Sequence, residues 1–61
     1  MSIIFHDIQR ETYKRVDNID QLQSEILTLH GRRSRVWVLF MNDGEIEYYK
    51  QRYYDIVRIE R

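Results

Sequence analysis

Chemistry in a chain this short has to come from few residues. The candidate acid–base groups are His6-Asp7 and His30; the candidate hydroxyl nucleophiles are Ser2, Ser24 and Ser34. A nucleophile needs a base beside it and a third group to orient that base. None of the three serines stands in a motif that supplies either. His6 and Asp7 are adjacent, and strand alternation would send them to opposite faces. His30 precedes Gly31 and reads as a capping histidine at a helix end. A metal site fares no better. There is no cysteine, two histidines alone do not make a structural zinc site, and Asp43-Gly44-Glu45 lacks the spaced carboxylates of a calcium loop. The sequence therefore argues against an enzyme, against a metal and against any cofactor or small-molecule substrate.

Two clusters could bind instead of react. The first is basic and aromatic. His30-Gly31-Arg32-Arg33-Ser34-Arg35 gathers arginines, and Tyr48-Tyr49-Lys50-Gln51-Arg52-Tyr53-Tyr54 interleaves cations with tyrosines. Arginine for phosphate and aromatic rings for bases is the recipe of single-strand nucleic-acid binding. Arg32, Arg33, Arg35, Lys50, Arg52 and Tyr53 are the residues that reading would use. Asp43, Glu45 and Glu47 lie nearby and would repel phosphate, and no helix-turn-helix or RNP motif is present.

The second cluster surrounds the only tryptophan. Tyr, Trp and Arg are enriched where protein interfaces concentrate their energy, and this chain holds five tyrosines and one tryptophan. A protein-interaction surface is expected at Trp37, Leu39, Met41 and Tyr49 with Arg35 alongside. Arg33 and Arg35 before the apolar run, and Asp43 and Glu45 after it, resemble gatekeepers against non-specific strand pairing. An acidic segment, then arginines, then an acidic turn could give a self-complementary dimer or steer a mixed-charge partner.

The elements that must position these groups follow from periodicity. Val36–Met41 is an unbroken apolar run, too short for an independent helix and suited to a strand. Asn42-Asp43-Gly44 supplies a turn, and Ile46–Tyr49 returns as the partner strand. Two registers are open. A two-residue loop sets Met41 opposite Ile46. A three-residue loop with Gly44 as a bulge sets Phe40 opposite Ile46 and Val38 opposite Tyr48. The second gathers Val36, Val38, Phe40, Ile46 and Tyr48 on one face, expected to be the core, and leaves Trp37, Leu39 and Tyr49 outward with Glu45 and Glu47. In either register the strand is apolar on both faces. A covering segment or a partner would account for the second.

Before the hairpin, Ser2–Ile8 and Thr12–Val16 read as strands. Asp17-Asn18 then offers a helix start, with Asn18 as N-cap and Gln21 three residues on. Ile19, Leu22, Ile26 and Leu29 fall within an arc of about 80° on a helical wheel. Gly31 suits the residue after a helix end. These signals predict one amphipathic helix over 19–30. A last strand is expected from about Tyr54. The expected fold is α+β: a small antiparallel sheet of three to five strands with the helix on one face, order β(β)αβββ, as a single domain over 1–61.

Composition bounds the rest. The 61 residues carry zero net charge with one third of them charged, which gives no global pull toward nucleic acid or anionic lipid. A chain of this size has a marginal core without disulfides, metal or oligomerisation, and oligomerisation is the option left. No run approaches a membrane span and no secretory signal is read at the start, so a cytoplasmic protein is expected. Small chains free of Cys and Pro suit regulators, inhibitors or accessory factors, including virus- or plasmid-encoded ones. The expectation is a non-enzymatic protein-interaction module that self-associates. Single-stranded nucleic-acid binding is the alternative.

Overall fold

The computed structural model describes residues 1–61, and it contains six strands and no helix. They are β1 (Ser2–Asp7), β2 (Thr12–Val16), β3 (Ile19–Leu29), β4 (Arg32–Met41), β5 (Ile46–Lys50) and β6 (Tyr54–Glu60). All pairings are antiparallel, in two three-stranded sheets of order β2-β1-β6 and β3-β4-β5. The α+β expectation is overturned: the protein is all-β, and the segment expected to be a helix is its longest strand.

The physical reason lies in the two ends of β3. Asn18 does not cap a helix. It adopts φ 62° and turns the corner between the sheets, its carbonyl accepting from the Asn42 amide at 2.8 Å while the Ile19 amide donates to Met1 at 2.9 Å. At the other end His30 (φ 52°) and Gly31 (φ 75°) form the two-residue turn between the paired Leu29 and Arg32. Positive φ at both central residues is what a type I′ hairpin turn requires. A glycine past a helix end and a glycine in such a turn answer the same demand, so Gly31 fits both. Within β3 the register shifts between Ile19 and Gln21. That bulge resets the alternation, so Ile19 and Leu22, three apart, both turn into the core. Three-residue spacing here records a bulge, not a helical turn.

The other expected strands form, and so does the three-residue hairpin loop. Phe40 pairs with Ile46 and Val38 with Tyr48, and the Met41 amide donates to Glu45 at 2.8 Å. Gly44 sits at φ 91°, the conformation of a glycine bulge.

The core lies between the sheets. Ile3 and Phe5 from β1, Val16 from β2, Ile19 from β3, Leu39 from β4 and Tyr49 from β5 form one buried cluster. Phe5 is its centre, stacked on Tyr49 at 4.7 Å between ring centroids and edge-on to Tyr54 at 6.0 Å. Lys14 lies over the Tyr49 ring at 5.2 Å, a lysine whose stem covers apolar surface. A bulge in β6 sets Ile4 opposite Arg58 but Phe5 opposite Ile56, leaving Val57 unpaired.

Candidate interaction surfaces

Strand pairing assigns every side chain of the second sheet (β3-β4-β5) to a face. Leu22, Leu39 and Glu47 share a row, as do Ser24, Trp37 and Tyr49. This is the inner face, packed on the first sheet (β2-β1-β6). Leu39 and Tyr49 are buried in the core, with Trp37 and Met41 packed against it. The Trp37 indole N–H donates to the Tyr54 carbonyl at 3.1 Å, tying the sheets together. The Tyr49 hydroxyl donates to Glu47 at 2.7 Å, and burial, together with that carboxylate, raises its pKa. Gln51 closes the end of this face, its side chain donating to Ser24 Oγ at 2.7 Å.

The expected contact face is thus inverted. Trp37, Leu39, Met41 and Tyr49 hold the two sheets together, and Arg35 alone of that set is exposed. The strands pair in the expected three-residue register, but the opposite side of β4 meets the first sheet. β4 is apolar on both faces, so alternation within one hairpin leaves its core side open. Sheet-on-sheet packing decides it, and that depends on β1 and β6, far away in sequence.

The outer face carries the rows Gln21–Phe40–Ile46, Gln23–Val38–Tyr48 and Glu25–Val36–Lys50. It is apolar along its centre with polar flanks. Val36 and Val38 are buried by their neighbours within the sheet without joining the core cluster. Ile46 and Tyr48 on the edge strand stay 46% and 58% exposed. The outer face of the first sheet differs. Arg15, Arg58 and Glu60 lie there, Arg15 bridging Asp17 and Glu60, both at 2.8 Å, and Glu60 also meeting Arg58 at 3.5 Å. One sheet presents a charged, wet face, as antiparallel sheets usually do; the other sets an apolar centre and edge against the polar flank of Gln21, Gln23 and Glu25.

The basic residues gather at one end. β5 leaves β4 after the Gln51 amide bonds the Arg35 carbonyl at 3.0 Å, while β3 and β4 stay paired as far as Leu29 and Arg32. The hairpin therefore runs on past β5 as a two-stranded arm, Ile26–Leu29 against Arg32–Arg35. Arg33 and Arg35 share its inner face with Thr28 and Ile26; Arg32 and Ser34 share the outer with Leu29 and Leu27. Ile26 is 53% exposed, so the first sheet does not extend beneath the arm. Beside it, at the β5–β6 corner, Tyr53 carries Arg52 over its ring at 5.3 Å and Lys50 at 6.0 Å. The three ion pairs of the molecule involve only Arg15, Asp17, Arg58 and Glu60. Arg32, Arg33, Arg35, Lys50 and Arg52 have no carboxylate partner.

The candidate chemical groups are dispersed into structural contacts. His6 lies against the Tyr13 ring at 5.2 Å. Asp7 accepts the amides of Gln9 and Arg10, shaping the β1–β2 turn. Ser2 donates to Asp17 at 2.6 Å, and that bond and Arg15 hold the Asp17 carboxyl below the usual carboxylate range. No group of three or more His, Asp or Glu side chains is placed to hold a metal.

No protein-family model matches the chain, and no curated protein or solved structure is significantly similar to it.

Proposed function

We propose that this chain is a non-enzymatic protein-interaction module that self-associates through the outer face of β3-β4-β5. One observation carries the reading: beside the buried Val36 and Val38, this face leaves Ile46 and Tyr48 46% and 58% exposed on its edge strand, with Phe40 half-buried next to them, an apolar margin that a second copy would cover. Size points the same way. Only 8 of the 61 residues are buried, a small core for an independent fold, and stacking two such faces adds an apolar layer that the single chain lacks. Tyr48 at the margin of the patch has the ring and hydroxyl that suit the boundary between a dry centre and a wet rim.

The test is sedimentation velocity across a wide concentration range, on the wild type and on Tyr48→Asp and Ile46→Asp. Both side chains are half-exposed on an edge strand, so the fold is expected to survive, as far-UV circular dichroism would report. The expected result is a concentration-dependent dimer in the wild type and a monomer in both variants. A wild type that stays monomeric throughout, or variants that dimerise as well as it does, overturns the reading.

A further inference from the structure

The arm and the neighbouring corner are not used by that association, and their charge is unexplained by the fold. We infer that they form a binding site for single-stranded nucleic acid. Three observations combine. Five cations, Arg32, Arg33, Arg35, Lys50 and Arg52, lie at one end of a molecule of zero net charge, and none is neutralised by a carboxylate. Like charges placed this close repel one another, and an unpaired cluster gains most from a polyanion that displaces its counterions. The cations are also ordered. Arg33 and Arg35 are held on one face of a hydrogen-bonded ribbon, and Lys50 and Arg52 both lie over the Tyr53 ring. Finally, the arm offers apolar surface between its charges. Ile26 is exposed directly opposite Arg35, and Tyr53 remains partly open at the corner.

Phosphates would lie along Arg33, Arg35 and Arg52, with bases against Ile26 and the Tyr53 ring. Paired bases cannot reach such surfaces, so the site favours an unpaired strand over a duplex. The inner face of the arm carries no acid: Arg33 and Arg35 stand opposite Thr28 and Ile26, while Glu25 lies on the outer face in one row with Val36 and Lys50, and Asp43, Glu45 and Glu47 belong to the far end of β4 and β5. The repulsion that the sequence suggests between the acidic turn and a bound strand is thus removed by distance along the hairpin.

The experiment is fluorescence anisotropy of a labelled 12-nucleotide mixed-sequence single strand against the full chain. With the three arginines Arg33, Arg35 and Arg52 engaged, affinity should fall about 20-fold between 50 and 200 mM salt, since each phosphate contact adds about −0.7 to the logarithmic slope. Arg33→Glu with Arg35→Glu should abolish binding. Arg58→Glu with Arg61→Glu, an equal change of charge elsewhere, should leave most of it. No binding at 50 mM salt overturns the proposal. So does equal loss in both double variants, which would make net charge alone responsible. Equal affinity for a duplex, for heparin or for polyglutamate overturns it too, as plain polyanion binding. Tyr48→Asp in the same assay separates this site from the dimer face: a monomer that still binds the strand places the two functions on different surfaces.

Discussion

Phe5 and Tyr49 show what single residues contribute in a core this small. Phe5 is fully buried and contacts two tyrosine rings. Aromatic pairs add about 0.5–1.5 kcal/mol each beyond their buried area, so Phe5→Leu should lower stability by about 1–3 kcal/mol in urea unfolding. A cost below that would mean the ring geometry adds nothing to simple burial. Tyr49 adds a dependence on pH. Its folded pKa lies above the ordinary tyrosine value because burial and Glu47 both disfavour the phenolate. From about pH 10 up to its folded pKa, the folded state holds a proton that the unfolded state has released. Stability is therefore complete below that window and falls as pH rises through it. Tyr49→Phe keeps the stack on Phe5 and should make the alkaline loss shallower in thermal unfolding between pH 9 and 11. An unchanged alkaline limb would remove Tyr49 from the explanation. Asp17 works in the other direction: its depressed pKa makes its contribution present at neutral pH and lost as acid protonates it.

Among the elements, the β3–β4 hairpin is where sequence and structure part. Its turn invites a direct test. His30 holds φ 52°, a conformation that costs an ordinary side chain about 1–2 kcal/mol and asparagine less. His30→Asn would create the Asn-Gly pair that a type I′ turn favours, so it should raise the unfolding midpoint. Gly31→Ala, at φ 75°, should lower it. The reverse order would mean that the arm is not closed by this turn. The strands that were legible in the sequence, β1, β2, β5, β6 and the 36–41 part of β4, are those whose apolar residues alternate or run together within a few positions. β3 was not legible because it is an edge strand. Neither of its faces is fully covered, so alternation is not enforced along its length, and the bulge by Ile19 breaks phase where burial is greatest. Arg32–Arg35 are legible as a cation cluster but not as strand, since their place in β4 depends on pairing with β3, whose apolar spacing imitates a helix. The side of β4 that faces inward is hidden from the sequence for a longer-range reason. Local pairing of Phe40 with Ile46 says which residues share a face and not which face meets the first sheet.

Over the whole molecule, the two proposed surfaces differ in the force that would drive them, and salt separates them. The outer face of β3-β4-β5 leaves Ile46 and Tyr48 exposed at its edge, and association there removes their hydrocarbon from water. Salts such as sulfate strengthen that effect, while they screen charge. The arm is the opposite case, since its five unpaired cations act through counterion release. Raising sodium sulfate from 0.05 to 0.5 M should therefore leave the dimer fraction unchanged or higher in sedimentation, and should eliminate strand binding in anisotropy. There is one competing arrangement. The acidic β4–β5 turn, where Asp43, Glu45 and Glu47 line a shallow depression with Asp17, could receive the arginine arm of a second copy. Contacts of that kind join unlike patches, and they continue into open chains unless a rotation closes them. A species that grows beyond two copies at low salt and dissolves into monomers at high salt would identify that head-to-tail contact. It would also move the self-association from the apolar face to the charged ends. A dimer that withstands sulfate, and is lost in Tyr48→Asp, keeps the association on the apolar face and leaves the arm free for a polyanion.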